Sequence, residues 1–247
     1  MVIIAAFLFS PPWSISGKAN LVGYAICHQM ASHSYHPGGR QLPMCARCTG
    51  IYLGILLSLI VLWATRGRAS SLPPGRVLAV LVIFIALMAI DGLNSYLPFL
   101  LGLPRLYQPR NIFRLVTGTL NGLALGVIIH PLFNLTLWKE ADPEKAIRNL
   151  RELSFLLPPA ALLVWAVQSQ LGFLFYPLAI LSVLGVLTIL TVLNTMILLI
   201  LTHREQRAAS WGNAFWPMMI GLAAALLEIE AIVLVRVALS WRWGLSP

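Results

Sequence analysis

The sequence has little charge. Asp, Glu, Lys and Arg make up 10% of its 247 residues, whereas a soluble domain carries roughly 25%. Hydrophobic residues make up 59% of the chain, and no long polar stretch separates its apolar runs. The scarcity of charge excludes a soluble globule, and the lack of a polar stretch excludes a separate soluble domain.

The apolar runs predict membrane-spanning helices. About 20 apolar residues cross a bilayer, and backbone groups in hydrocarbon must be hydrogen-bonded within the protein. Six runs approach or exceed that length, at 49–64, 77–96, 115–137, 153–168, 173–202 and 214–235. A shorter run precedes them at 2–9. We therefore predict an all-α, multi-pass transmembrane bundle with six to seven spans.

The net charge is +9, which alone would suggest a nucleic-acid partner. The 17 Lys and Arg, however, lie mostly in short connections between apolar runs, as in membrane loops. We therefore predict no nucleic-acid partner. If the spans alternate in direction, the connections 66–76, 139–152 and 203–210 lie on one side of the membrane and hold nine of the 17 basic residues. The other eight lie on the opposite side, with the cysteines, the 97–114 loop and the C-terminus. This small bias favours a non-cytoplasmic cysteine loop.

Cysteine is also scarce, with only Cys27, Cys45 and Cys48 present. Three cysteines cannot all pair in disulfides within one chain. Cys45 and Cys48 form a Cys-x-x-Cys turn that can bring two thiolates to one ion, and Zn²⁺ prefers four nitrogen or sulfur ligands. Cys27 supplies a third thiol. The adjacent His28 is the predicted fourth ligand, although two neighbouring residues share one ion only through an unusual turn. We predict a zinc site of the Cys3His type, structural or catalytic.

Other interpretations of this loop stay open. His33 and His36 are possible substitutes for the first histidine as a ligand. A redox protein would use Cys45 and Cys48 as an exchange dithiol that passes electrons to a quinone, but such proteins usually relay between two cysteine pairs. A third class is a non-catalytic accessory subunit of a membrane complex. The sequence does not decide whether the protein is an enzyme.

Polar side chains within the apolar runs indicate a second feature. Their spacing places them on single helix faces: one stripe holds Arg110, Arg114, Thr117 and Asn121, and another holds Asp91, Asn94 and Ser95. Intramembrane Asp and Arg each cost about 2.5 to 3.5 kcal/mol on insertion scales, so they normally face partners or a polar cavity. Three glycines on the first of these helices, Gly118, Gly122 and Gly126, predict close helix packing.

These stripes have a structural and a functional interpretation. In the structural one, Asp91 forms an ion pair with Arg110 or Arg114 that ties two helices together. In the functional one, the surplus of arginine binds a carboxylate or phosphate, because guanidinium matches both in a bidentate manner. The predicted ligand is then an anionic, phosphate-bearing or lipid molecule, and Asp91 orients the site or acts as a base. The predicted ligand-binding residues are Arg47, Arg110, Arg114, Thr117, Asn121 and Asn94.

Short motifs in the first half of the chain are distinctive. Cys-His-Gln stands at 27–29, Cys-Ala-Arg-Cys-Thr-Gly-Ile-Tyr at 45–52, Asp-Gly at 91–92 and Arg-x-x-Thr-Gly at 114–118. This combination resembles a family of bacterial and archaeal predicted membrane proteins known as domain of unknown function 2085. The family commonly has Pro-x-Arg-Ser after the glutamine, where this chain has Ala-Ser-His-Ser at 31–34.

The resemblance covers about residues 24–126, implies a bacterial or archaeal cell membrane, and supplies no activity. It divides the chain into a family-like core at 1–138 and additional helices of unknown role at 139–247.

Overall fold

The computed structural model describes residues 2–102 and 104–243, and these are mostly helical. In the described part of the chain the helices are α1 (Val2–Phe9), α2 (Ile15–Ile26), α3 (Ala46–Arg66), α4 (Gly75–Leu101), α5 (Asn111–Leu137), α6 (Leu150–Ser154), α7 (Leu157–Gln168), α8 (Phe175–Leu201) and α9 (Trp211–Trp243). Two short strands are β1 (Ala69–Ser71) and β2 (Asp142–Lys145). The all-α prediction is confirmed.

Among the described residues, six segments are long and apolar enough to cross a membrane. They are Ala46–Arg66, Gly75–Leu97, Asn111–Leu137, Leu150–Gln168, Gly172–Leu201 and Trp211–Trp241. Each corresponds to one of the six predicted runs, and the protein is therefore a multi-pass membrane protein. The predicted boundaries fall short at most ends, because polar residues continue a helix after its apolar run has stopped.

Two helices at the start of the chain are too short to span. α1 has 8 residues and α2 has 12, and both pack against α9. α2 is absent from the sequence prediction, because Gly17, Lys18 and Asn20 interrupt its apolar character. It begins after Ser14, whose hydroxyl accepts the Gly17 N–H and caps the first turn.

The bundle is built around the close packing of α3 and α5. Gly118, Gly122 and Gly126 of α5 all face the backbone or side chains of α3, as their spacing predicts. A Cβ atom added to Gly118 would lie 3.2 Å from the carbonyl carbon and 3.3 Å from the Cα of Arg47. The missing side chain thus lets the start of α5 approach the first turn of α3, where the polar residues of both helices meet.

One end of the bundle carries the cysteines, and we call it the cysteine face, defined by residues 27–48 and the helix ends around them. Arg47 at the start of α3 forms an ion pair with Asp91 of α4. Arg236 of α9 donates to the main-chain oxygen of Cys27 at 2.9 Å. These contacts bring the later part of α4 and the end of α9 to the same face, as alternation of the spans requires.

The opposite end is closed by β1 and β2, which pair in parallel and join the α3–α4 connection to the α5–α6 connection. Arg66 lies here. The sequence places it in a solvated loop, but its side chain is only 18% exposed and forms an ion pair with Glu152 at 2.6 Å. The prediction is corrected because the second connection folds back over the first.

Candidate metal and anion site

Three thiols meet at the cysteine face. Cys27 directly follows α2, Cys45 is the residue before α3, and Cys48 lies in the first turn of α3. Their Sγ atoms lie within 4.8 Å of one another. All three are free thiols, with Cys27 and Cys45 buried and Cys48 partly buried. Two chain segments 18 residues apart thus converge on one point.

Backbone donors surround the Cys27 sulfur. Its Sγ accepts the N–H of Cys45 at 3.2 Å and the N–H of Gln29 at 3.4 Å. Gln29 adopts φ 49°, in the left-handed region, and the chain turns there so that its N–H points back to the sulfur. The Gln29 side chain then donates to the Pro43 oxygen at 2.7 Å. One residue therefore shapes the Cys27 turn and ties it to the segment that precedes α3.

Hydrogen bonding shifts the pKa values of Cys27 and Cys45 in opposite directions. Bonds from the side chains of Cys45 and Cys48, followed by the backbone N–H groups of Cys45 and Gln29, lower the pKa of Cys27 to about 2. The bond to Cys27 raises the pKa of Cys45 above its usual range. Cys27 is therefore the thiol whose ionised form these hydrogen bonds favour, relative to Cys45.

His28 borders the three thiols but is not one of the group. Its Nδ1 accepts the Met30 N–H at 3.1 Å, and its ring lies 5.3 Å, centroid to centroid, from that of His33. Burial, followed by the positive charge of Arg114, lowers the pKa of His33, which favours the neutral imidazole that binds metals. His36 lines a different cleft. The structure thus brings together the three predicted cysteines and leaves the predicted histidine beside them.

Arg47 connects the cysteine cluster to Asp91. Its guanidinium donates to the Asp91 carboxylate and, at 3.2 Å, to the main-chain oxygen of the same residue. The other carboxylate oxygen accepts the Tyr107 hydroxyl at 2.6 Å. The predicted partner, Arg110 or Arg114, is therefore wrong, because α4 passes beside the first turn of α3. With both oxygens bonded and 1% exposure, Asp91 is placed to orient Arg47.

Arg114 lies close by without an acidic partner. It is 6% exposed, and its Nη1 donates to Asn111 at 2.9 Å. Within residues 2–102 and 104–243, no carboxylate lies within 4.0 Å of its guanidinium. Arg47 and Arg114 both line a cavity of about 70 Å³ that is also bordered by Cys45, His28 and His33. This volume holds a few water molecules or a small anion.

The remaining predicted ligand residues lie elsewhere. Arg110 is exposed and lines a separate polar cleft. Thr117 donates to the backbone of its own helix at 2.8 Å. Asn94 is buried, and its amide accepts from and donates to the backbone of residues 106–107, at 2.7 and 3.0 Å. Asn121 is buried two turns beyond Arg114. The predicted stripe is therefore divided, and Arg47 and Arg114 share the cavity beside the thiols.

Arg236 is not among the site residues predicted from the sequence, yet the structure places it there. Its guanidinium donates to the main-chain oxygens of Tyr24 and Cys27 and lies 4.1 Å from the centroid of the Tyr24 ring. These oxygens end α2, where a positive charge complements the helix dipole. The sequence shows Arg236 as a charged residue in a largely apolar span, together with Glu228 and Glu230, but it does not show which helix the arginine faces.

Together these features define a multi-pass membrane protein with a three-cysteine cluster beside an arginine-lined cavity. The family model described as predicted membrane protein (DUF2085) matches residues 27–128. The chain belongs to this family, in agreement with the motifs. The matched region contains every predicted site residue and ends within α5.

Two archaeal relatives share this region. An uncharacterized protein of Methanocaldococcus jannaschii is 31% identical over 115 residues, which cover 47% of this chain and 68% of the relative. An uncharacterized protein of Methanothermobacter thermautotrophicus is 29% identical over 112 residues, covering 45% of this chain and 91% of the relative. No solved structure matches the chain.

Proposed function

We propose that the protein is a membrane metalloprotein in which Cys27, Cys45 and Cys48 bind one zinc ion. The observation that supports this most directly is the convergence of three sulfur atoms within 4.8 Å of one another. Tetrahedral zinc with bonds of about 2.3 Å would place its sulfur ligands roughly 3.8 Å apart. Binding therefore requires the thiols to close by about 1 Å at most, which side-chain rotation provides.

The second part of the proposal is an anionic ligand in the adjoining cavity. Arg114 is buried without an acidic partner among the described residues, and the Nε of Arg47 is buried there without a hydrogen bond. A buried guanidinium that lacks a counter-charge is costly, and a phosphate or phosphate-bearing group would supply both charge and acceptors. The pair has one neighbouring carboxylate, Asp91, which Arg47 already occupies.

The two parts are connected by Arg47, which lies between two of the metal-binding cysteines. Zinc held by Cys45 and Cys48 would fix the first turn of α3, and with it the direction of the Arg47 side chain. His28 or His33 would complete the coordination after a ring rotation, or a ligand in the cavity would do so. When bound, the metal would supply positive charge beside the anion. The residues themselves orient that anion and exclude all but a small volume of water.

Metal analysis of the full chain in detergent, purified without chelator, tests the proposal. We expect about one zinc per wild-type chain, and its loss in Cys27→Ser, Cys45→Ser and Cys48→Ser alike. His203→Ala, which alters an exposed histidine on the opposite end, is the matched control and should keep the metal. We also compare His28→Ala with His33→Ala: the variant that retains less zinc identifies the fourth ligand.

A different result would reject the shared site. A metal-free wild type that takes up no added zinc and has Cys45 and Cys48 oxidised would favour the redox interpretation instead. If Cys27→Ser alone left zinc binding intact, the cluster would not act as a unit. Thiol counting on the same samples separates these results from simple oxidation during purification.

A further inference from the structure

An apolar groove runs along the membrane-facing side of the bundle between α5 and α7. It has a volume of about 370 Å³ and is lined on α5 by Ile112, Val116 and Leu120 and on α7 by residues that include Ala161 and Trp165. At 1.5 Å per residue, the lining residues extend for about 12 Å along α5 and about 16 Å along α7. One leaflet of a roughly 30 Å hydrocarbon core has a similar depth.

At the cysteine face the groove adjoins a polar cleft of about 590 Å³. Ile112 and Gln168 line both spaces, so the groove and the cleft adjoin at these two residues. Arg110 and His36 lie in the cleft, and no Asp or Glu lines it among the described residues. Arg110 itself has no carboxylate within 4.0 Å in the described part of the chain.

We propose that this groove and cleft form a binding site for a membrane lipid with an anionic headgroup. One acyl chain lies along the groove within the leaflet of the cysteine face, and the phosphate lies in the cleft beside Arg110. Three observations specify this occupant: the length of the groove, the polar cleft that adjoins one end of it, and the positive charge of Arg110 in that cleft, which no acidic residue balances among the described residues. A lipid with an anionic headgroup satisfies all three at once.

The proposed lipid site is separate from the cavity beside the cysteines. Asn111 lies between them, with its amide donating to the Ser32 oxygen at 3.2 Å and its side-chain oxygen accepting from Arg114 at 2.9 Å. Arg110 therefore belongs to the lipid cleft and Arg114 to the cavity, although only four residues separate them. The inference goes beyond the proposed metal and anion site and does not depend on it.

Native mass spectrometry of the full chain in detergent, titrated with phosphatidylglycerol or phosphatidylcholine of the same acyl chains, tests this site. We expect the wild type to bind phosphatidylglycerol about tenfold more tightly, because its headgroup has a net negative charge that complements Arg110, whereas the choline cation of phosphatidylcholine offsets the charge of its phosphate. Arg110→Gln should remove that preference. Ala161→Trp should fill the groove and weaken binding of both lipids. Leu162→Trp is the matched control, since Leu162 is 63% exposed and does not line the groove.

Equal binding of the two lipids by the wild type would overturn the headgroup assignment. Unchanged lipid binding by Ala161→Trp, with Leu162→Trp behaving like the wild type, would overturn the groove. The thermal midpoint and the size-exclusion elution of the same variants should stay at the wild-type values, which shows that the substituted chains are folded.

Discussion

The ion pair between Arg47 and Asp91 allows a sharp test of how the polar residues hold the bundle together. Asp91 is 1% and Arg47 is 17% exposed at the side chain, so solvent screens the pair weakly. Asp91→Asn preserves the shape of the side chain and can keep the hydrogen bond from Tyr107, but it leaves the Arg47 charge uncompensated. Arg47→Met leaves the buried carboxylate with the tyrosine alone.

Loss of one partner from a buried pair costs about 3 to 5 kcal/mol of unfolding free energy. We expect about 3 kcal/mol for Asp91→Asn, at the low end because the Tyr107 bond at 2.6 Å remains possible. Arg47→Met should cost a similar amount. The double variant leaves no unpaired charge, so its loss should fall short of the sum of the single losses by about 2 kcal/mol, within the usual range for residues in contact.

Reversible unfolding in mixed micelles, followed by tryptophan fluorescence, gives these free energies. Asp142→Asn is a suitable control, because Asp142 is exposed and surface substitutions usually change stability by less than about 0.5 kcal/mol. Single losses that add within about 0.5 kcal/mol in the double variant would refute the coupling. The pair would then contribute nothing beyond its two separate side chains.

Other predictions concern the cavity, the metal, the helix packing and the orientation. Arg114→Ala should reduce the affinity for pyrophosphate, measured by calorimetry, at least tenfold. Arg114→Lys should restore little of this affinity, because lysine lacks the planar guanidinium that donates two parallel hydrogen bonds. Full rescue by lysine, or an equal loss in the exposed control Arg76→Ala, would contradict the oxyanion site. Zinc affinity, measured by chelator competition, should fall about tenfold or more per pH unit of acidification because protons compete for the thiolates, and a flat profile would exclude thiolate ligands. Gly118→Ala should lower the thermal midpoint and weaken pyrophosphate binding together, since its Cβ would press on the Arg47 backbone; an unchanged midpoint would show that α3 and α5 tolerate separation. Ser70→Cys, in a chain without the native cysteines, should be labelled only from the cytoplasmic side, and labelling only from outside would reverse the predicted orientation.

The transmembrane spans could be predicted from sequence because the rule that governs them is local. Hydrocarbon requires a continuous apolar stretch and internal backbone hydrogen bonds, and both can be recognised within about 20 residues. α2 could not be predicted in this way, because it is short, contains Lys18 and is stabilised by packing against α9. The small-residue face of α5 could be predicted for the same local reason, although its partner helix could not.

The candidate site could be predicted only in part, because its geometry depends on contacts between distant segments. Ligand chemistry suggested that the cysteines converge. The spacing of Arg110 and Arg114 suggests one helix face, but Arg110 has φ −110° and ψ 151° and stands before the helix begins. Its side chain therefore leaves the stripe. Arg47 is the partner of Asp91 because of the way α4 packs beside α3. The periodicity of the sequence does not indicate this packing.

The contact between Arg236 and the end of α2 has a consequence for the order of assembly. Cys27 leaves the ribosome long before Arg236, yet the main-chain oxygen of Cys27 receives its charged donor from α9. The turn that positions the first thiol therefore reaches its final form only after α9 has inserted. If the proposed zinc site is right, metal would be loaded only after α9 has inserted, and the thiols would stay open to oxidation until then.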